Sequence, residues 1–286
     1  MVYILEIKTT QAAAIKIVTD AVNSLLTDAN FEFRPYYIDD DENETCDENG
    51  ENIVQPKKIG GVVIKEINKT GIILVYIRLD ADKFDVYKYN YHKPKLTLGI
   101  DIGNLLKCLK CMSHFDTMTW IVDDEDINKL IIVLESAERK EKKTFKLNLI
   151  DLEEYKCNID PIQFPYLISL PSQDFHKYCK DMTGATEKIE IKATYNKLFF
   201  SGSGESGHVE FEVGETNGGL SIISNTNNTH EIVQGVFELK FLLIFTKCTN
   251  LCNQVTLFLK NDYPIIVTYQ IAALGEIKLV LSPTNI

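Results

Sequence analysis

Short apolar runs separated by turn residues dominate the chain, and a few segments with helical spacing lie between them. Runs rich in β-branched and aromatic residues predict antiparallel strands, whereas apolar residues three and four apart predict helices. The predicted strands are residues 71–79, 118–122, 130–134, 144–149, 188–193, 197–201, 209–213, 255–259, 265–269 and 277–281, and the predicted turns include 123–126 and 261–264.

Four segments predict helices: residues 10–26, 103–112, 172–182 and 240–248. The third has the clearest start signal, because Ser172 follows a proline and precedes Asp174, so we expect Ser172 to cap it. The fourth has weak periodicity and is also compatible with a strand.

The order of these elements repeats. Each half begins with a strand and a helix, continues through strands to a second short helix, and ends in three strands. MTWIVDDEDINKLIIVLE corresponds to VTLFLKNDYPIIVTYQI, and FKLNLIDL corresponds to IKLVLSPT. The pattern predicts two similar α+β domains, residues 1–150 and 166–286, joined by a connector at 151–165.

Composition narrows the class of protein. With 45% apolar and 25% charged residues, the 286-residue chain is expected to fold around a real core. We expect no membrane span and no secretory signal, and the seven scattered cysteines favour an intracellular protein over a disulfide framework. The net charge of −11 argues against a surface that binds nucleic acid everywhere.

The acidic charge is concentrated in one stretch. Residues 39–51, DDDENETCDENGE, contain eight acids and no base, between strand-like FEFRPYYI and GGVVIKEI. The stretch, within an insertion at about 39–59, is therefore predicted to be a solvated loop between paired strands, with an interaction loop as the alternative.

Two motifs resemble chemical sites. Cys108 and Cys111 form a C-x-x-C pair, which fits a thiol redox pair or half of a zinc site, but no second pair lies near in sequence. Residues 202–207 fit G-x-G-x-x-G, but the strand-like HVEFEV that follows predicts a hairpin loop instead of a dinucleotide site. No nucleophile–base set is evident, so we predict no catalytic residue, cofactor or metal.

Lysines on the predicted helices stand out in this acidic chain. Lys107 and Lys110 share a helix face, as do Lys177 and Lys180, and Lys240 and Lys247, about two turns apart, are predicted to share one as well. Lys16 lies opposite the apolar side of the first helix. Lysine on solvated helix faces is common, but four such helices together predict a localised basic surface suited to phosphate contacts.

Several stretches in order resemble the eukaryotic-type DNA sliding clamps of the proliferating cell nuclear antigen family. They are LGIDIGNLLKCLKCM, KLNLIDLEE, LPSQDFHKYCKDM, LFFSGSGESGHVEF, FELKFLLIFTKCT, YPIIVTYQI and GEIKLVLSP. The resemblance implies the DNA clamp fold, with two similar domains per subunit, helices lining the hole of a three-subunit ring and antiparallel sheets outside. It implies a protein from a cell or from a large DNA virus.

The resemblance also implies that the duplex is touched without sequence preference. Ile17 and Asn23 depart from the family, because lysine is common at both positions. The residues implied to face DNA are Lys16, Lys107, Lys110, Lys177, Lys180, Lys240 and Lys247.

Family members are tethers that hold DNA polymerase, a clamp loader and other replication and repair proteins through a peptide-docking pocket. In this chain Gly71, Cys157 and Val280 replace a histidine, a leucine and a tyrosine of the family, so different partner peptides are expected. The residues implied to line the pocket are Ile67, Ile72, Cys157, Ile159, Pro264, Val280 and Pro283.

Ring closure in the family pairs two edge strands, which match residues 144–150 and 208–213 here. The side chains implied at this subunit interface are Cys111, Phe145, Leu147, Val209 and Phe211. Tyr195 stands where the family usually carries its ubiquitin-acceptor lysine.

The sequence therefore favours a homotrimeric clamp, a non-enzymatic processivity factor acting at replicating DNA in the nucleus or at a viral replication site, with no membrane partner. Three alternatives stay open: a subunit of a heteromeric checkpoint-type clamp, a thiol or metal enzyme using Cys108 and Cys111, and a β-rich interaction module without a DNA role.

Overall fold

The computed structural model describes residues 3–38, 58–113, 116–154, 162–205, 207–225 and 231–284. They form an α+β fold that divides into two compact units. Unit 1 comprises Met1–Ala13, Asp28–Ile64 and Arg78–Leu152, and unit 2 comprises Ala14–Thr27, Lys65–Ile77 and Glu153–Ile286. Unit 2 thus includes two segments of the first half, residues 14–27 and 65–77. The predicted domain boundaries at 150 and 166 remain a prediction.

The first half of the chain is mostly antiparallel strand. Its elements are β1 (Tyr3–Thr9), α1 (Ala12–Asn23), β2 (Asp28–Phe33), β3 (Tyr37–Ile38), β4 (Lys58–Ile59), β5 (Gly61–Ile67), β6 (Ile73–Asp80), a 3₁₀-helix (Ala81–Lys83), β7 (Val86–Tyr89), β8 (Leu96–Asp101), α2 (Ile102–Lys110), β9 (Thr117–Asp123), β10 (Asp126–Ser136) and β11 (Glu141–Asn148).

The second half repeats this order. Its elements are β12 (Tyr166–Pro171), α3 (Ser172–Met182), β13 (Lys188–Ala193), β14 (Lys197–Gly204), β15 (Gly207–Gly214), β16 (Ser221–Ser224), β17 (Val233–Glu238), α4 (Leu239–Phe245), a 3₁₀-helix (Thr246–Leu251), β18 (Gln254–Leu259), β19 (Ile265–Ile271) and β20 (Gly275–Leu281).

The sheets confirm the repeat predicted from the sequence. Strand order β11-β10-β9-β1-β7 in the first half matches β20-β19-β18-β12-β16 in the second, and β6-β5-β2-β8 matches β15-β14-β13-β17. Among the described residues, the ribbon of β3 and β4 and the 3₁₀-helix at Ala81–Lys83 have no counterpart in the second half. Every predicted strand is present, and most extend one to four residues beyond the predicted ends.

Two details of the predicted helices need correction. Ser172 is the first residue of α3, the cap position is Pro171, and no side chain caps this end; the Ser172 hydroxyl is buried without a hydrogen-bond partner among the described residues. The segment 240–248 is neither one helix nor a strand, because α4 ends at Phe245 and the chain tightens into a 3₁₀-helix.

Large side chains fill each unit. In unit 1 the Trp120 ring meets Phe31 and Phe33 edge-on, with ring centroids 6.0 and 6.4 Å apart. In unit 2, Tyr166 and Tyr269 are fully buried. Edge-to-face aromatic contacts add to the free energy gained from removing apolar area from water. None of the helices in the described ranges is long and apolar enough to cross a membrane.

The acidic stretch lies outside the described residues, but its flanks are clear. Tyr37 and Ile38 pair with Ile59 and Lys58, and β2 pairs with β5 directly beyond them. The stretch is therefore inserted between paired strands, as predicted.

The end of the first half is held by a close backbone approach. The Ile150 N–H donates to the Gly99 carbonyl at 2.9 Å, and a Cβ on residue 99 would collide with the Ile150 carbonyl. Glycine is thus required at residue 99, where it lets the chain leave β11 along β8.

Candidate functional site

Helices α2 and α3 present the lysines that the sequence analysis selected. In α2, Leu105, Leu106 and Leu109 are buried while Lys107 and Lys110 are exposed. In α3, Lys177 and Lys180 are likewise exposed, on the side of the helix away from its buried face. The helical spacing therefore separates apolar anchors from cationic groups, as predicted.

Five of the seven predicted DNA-facing lysines have no carboxylate partner within the described ranges. Lys107 donates to the Asn104 amide oxygen at 3.0 Å, a neutral group that leaves its charge uncompensated. These five cations are the ones available to an external anion: Lys16, which is half-buried, and Lys107, Lys110, Lys177 and Lys180.

Lys240 and Lys247 are different, because each already contacts an acid. Lys240 Nζ lies 2.5 Å from a Glu238 carboxylate oxygen. Lys247 Nζ donates to Ser24 Oγ at 2.8 Å and lies 3.5 Å from Asp20. Lys247 belongs to the 3₁₀-helix after α4, so the two lysines do not lie on one regular helix, as the prediction of a shared face assumed. Their contact with DNA remains a prediction.

Two sheet edges differ between the halves. Residues 73–77 of β6 belong to unit 2, where they lie beside β20, and the Ser282 N–H donates to the Ile72 carbonyl at 3.0 Å. In the repeat, β11 is the counterpart of β20, and β15 is the counterpart of β6. Yet β11 and β15 each have one side without a strand among the described residues. In the described part of the chain, the remaining edges of the main sheets, β7 and β8, correspond to the edges β16 and β17 of the second half.

Both uncovered strands alternate in the same way. Half-buried Phe145 and buried Leu147 of β11 point to one side, and exposed Thr144 and Lys146 to the other. In β15, half-buried Val209, Phe211 and Val213 alternate with exposed His208, Glu210 and Glu212. Each strand therefore has an apolar side, and the exposed sides carry lysine on β11 and glutamate on β15.

The apolar sides continue into the helices. The Phe211 ring lies 6.0 Å from Tyr178 of α3, which lies 5.3 Å from Phe200. Lys143 Nζ donates to the carbonyl of exposed Cys111 at 2.9 Å, so Cys111 lies close to β11. Leu147 is only 8% exposed and offers little surface to a neighbour. The assignment of these residues to a subunit interface remains a prediction.

Five of the seven predicted pocket residues are described, and all five lie in unit 2. Ile67 and Pro283 are exposed, and Ile72, Pro264 and Val280 are half-buried. One of the five, Pro283, lines a groove together with Ile232, Gly235, Val236 and neighbouring residues. Cys157 and Ile159 lie outside the described residues, so the complete pocket remains a prediction.

The turn before Ile72 is held rigidly. The Asn68 side-chain oxygen accepts from the Ile72 and Ile73 N–H groups at 3.1 and 3.0 Å, and the Asn68 N–H donates to the Ile73 carbonyl at 2.9 Å. This asparagine was missed by the sequence analysis, although Asn-x-x-Gly is a turn signal that could have revealed it.

The cysteines were the basis of the enzyme alternative. Burial, and then the neighbouring Cys111, raise the pKa of the Cys108 thiol, which opposes the thiolate form that redox or metal chemistry needs. Burial raises the pKa of Cys179 and of Cys248 to about 12. Across the described part of the chain, no three His, Cys, Asp or Glu side chains are placed to share a metal ion.

The glycine motif is a hairpin, as predicted. Gly204 pairs with Gly207 at the end of the β14–β15 ladder, and β15 follows at once. A dinucleotide site of the kind considered would need a helix there to hold the pyrophosphate.

Comparison with known proteins decides the family. The model of the N-terminal domain of proliferating cell nuclear antigen matches residues 51–156, and that of the C-terminal domain matches residues 158–284. The chain belongs to the proliferating cell nuclear antigen family. Its α+β architecture, with antiparallel sheets and few helices, is the DNA clamp fold of this family.

The chain is also similar to the "Probable DNA polymerase sliding clamp" of Acanthamoeba polyphaga mimivirus, with 28% identity. That similarity covers 99% of this chain and 62% of the viral protein's own length. The chain therefore spans less than two thirds of the curated relative that it matches.

Proposed function

We propose that the protein is a sliding clamp: a closed ring of identical subunits that encircles duplex DNA and tethers DNA polymerase to it. Membership of the proliferating cell nuclear antigen family and similarity to a viral clamp support this function. The protein acts at replicating DNA as a scaffold, without catalysing a reaction.

The main structural support for a ring is the pair of uncovered sheet edges, β11 and β15. Among the described residues of one chain, β20 is covered by β6, while their counterparts β11 and β15 are uncovered. Pairing β11 of one copy with β15 of the next would cover both edges and repeat the joint already present in the chain. A head-to-tail contact of this kind closes into a ring when the rotation permits, and the family resemblance supports a ring of three.

Charge supports a ring made from one kind of chain. The exposed side of β11 carries Lys146 and that of β15 carries Glu210, so the two edges complement each other electrostatically. A heteromeric checkpoint-type ring would not need this self-complementarity.

The lysines on α2 and α3 are proposed to touch the phosphate backbone. Lysine contacts phosphate as a point charge and carries no base preference, so binding would be non-specific and weakened by salt. A ring that holds DNA by enclosing it needs no tighter grip, and weak contacts allow sliding. Partners, including a clamp loader, would dock peptides in the pocket near Pro264, Val280 and Pro283.

Solution mass and loading test this function. We expect sedimentation to give the mass of three subunits, and a clamp loader to place the ring on nicked circular DNA. Cutting that DNA once should release the ring, because a linear molecule has ends to slide off. A stable monomer, or a complex that survives linearisation, would contradict the proposal.

A further inference from the structure

Unit 2 carries a continuous apolar row across β16, β12, β18, β19 and β20, on the side of these strands opposite their buried residues. Ile223, Leu167, Phe258, Ile266 and Val280 are direct cross-strand neighbours, one on each of β16, β12, β18, β19 and β20. Directly opposed residues of an antiparallel pair point to the same side, so the five side chains form one line, here called the outer row. Ile223 is 54% exposed and the other four are half-buried.

The same line in unit 1 provides an internal comparison. Its members, from β7 to β11, are Lys88, Glu6, Ile121, Ile131 and Lys146. Lys88 and Glu6 form an ion pair of 2.8 Å. The sheet architecture therefore tolerates charge at these positions, and packing alone does not explain why the outer row is apolar throughout.

The surroundings of the outer row indicate what covers it. Its last member, Val280, belongs to the predicted peptide pocket, so the two surfaces are continuous. A groove beside the row has Ile162, Phe164, Phe258, Lys260 and Glu231 among its lining residues, and the Phe164 and Phe258 rings lie 5.6 Å apart. Lys260 lies over the Tyr263 ring at 4.2 Å and has no carboxylate partner within the described ranges.

We propose that the outer row is a second docking site, filled by the part of a clamp-binding protein that extends beyond its pocket-bound peptide. This proposal rests on the proposed function. The occupant is an extended segment with aliphatic or aromatic side chains and a carboxylate opposite Lys260. Neighbouring strands lie about 4.8 Å apart, so the row is about 19 Å long. About six residues of extended chain cross that distance.

The test compares the unaltered ring with a double variant whose two new residues are copied from the matching positions of unit 1. Ile223→Lys with Leu167→Glu installs the arrangement that Lys88 and Glu6 already adopt. Neither residue lies in the predicted pocket or interface, so ring mass and binding of a pocket-only peptide should not change. Ile127→Glu is the matched control, because Ile127 is an exposed isoleucine of unit 1.

The probe comes from a displayed peptide library with fixed pocket anchors and about eight randomised flanking residues, enough to cross the row. A second library without anchors is selected in parallel. We expect apolar and acidic flanks to be enriched on the unaltered ring. By fluorescence anisotropy, a selected peptide should bind the double variant about tenfold more weakly or worse, and the Ile127→Glu ring unchanged.

Equal binding to the double variant, or no enrichment from either library, would overturn the second site. Ring-to-ring association that the double variant abolishes would show that a second copy occupies the row and would also overturn it. If the pocket-only peptide does not bind the unaltered ring, that result counts against the proposed pocket. The anchor-free library would still test the outer row.

Discussion

At the scale of single residues, Asp101 has a defined structural role that its sequence context only hints at. Its carboxylate accepts from the Asn104 N–H at 2.7 Å and so caps α2. The corresponding position before α4 is Glu238, whose side chain makes no capping bond. A capping carboxylate satisfies an otherwise unpaired N–H and favours the positive end of the helix dipole.

Asp101→Ala should therefore lower the free energy of unfolding by about 1 kcal/mol. Asp101→Asn should keep nearly all of the stability, because asparagine caps as well as aspartate does. Urea unfolding followed by circular dichroism measures both. Equal losses for alanine and asparagine would show that the negative charge, and not the capping bond, stabilises α2.

The sequence pattern predicts where α3 starts to within about one residue, but it does not predict contacts between distant residues. Serine is a residue type favoured at helix caps, but Ser172 is already the first residue of α3. The cap position falls on Pro171, which has the extended conformation that a cap requires. The pairing of Lys247 with Asp20 joins residues far apart in sequence, so no local pattern could predict it.

At the scale of elements, alternation predicts the type and position of the edge strands, whereas only the family resemblance predicts that they are edges. Alternation in residues 144–149 and 209–213 correctly predicts strands with one apolar side. Alternation alone does not reveal an uncovered edge; among the described residues β11 and β15 have one, and their counterparts β20 and β6 do not. Pairing between strands depends on chain topology, which a single alternating run does not encode.

Charge exchange tests the proposed joint between copies. If Phe145 of one copy lies opposite Phe211 of the next, the antiparallel register places Lys146 opposite Glu210. Lys146→Glu should then destabilise each joint by about 1 kcal/mol, because like charges would face each other. Adding Glu210→Lys to the same chain should restore the ring.

Sedimentation at decreasing protein concentration gives the result. Lys93→Glu, in an exposed loop after β7, is the control for the added negative charge. If the double variant dissociates as readily as the single one, Lys146 and Glu210 do not face each other.

At the scale of the molecule, an excess of eleven acids is compatible with DNA binding because the charges are separated. Eight acids lie in residues 39–51, whereas the lysines of α2 and α3 have no carboxylate partners in the described ranges. Net charge alone argued against a nucleic-acid partner, and the family resemblance and the positions of individual charges reversed that view.

Lys177→Glu with Lys180→Glu should therefore weaken retention on circular DNA and flatten its dependence on salt. The logarithm of the binding constant falls by about 0.9 per phosphate contact for each unit of log salt, so lost contacts reduce the slope. A salt titration on nicked circles measures it. Lys69→Glu changes an exposed loop lysine and should leave the slope unaltered; an unchanged slope in the double variant would remove these lysines from the DNA surface.

The β3–β4 ribbon has a consequence for how this chain can change over time. By pairing Tyr37 and Ile38 with Ile59 and Lys58, it closes residues 39–57 at their base before the main sheet begins. Once the ends are held together, each doubling of a loop's length costs only about 0.6 kcal/mol of closure entropy. Mutation can therefore lengthen, shorten or recharge this segment while β2 and β5 keep their register, so the protein's total charge can evolve almost independently of its fold.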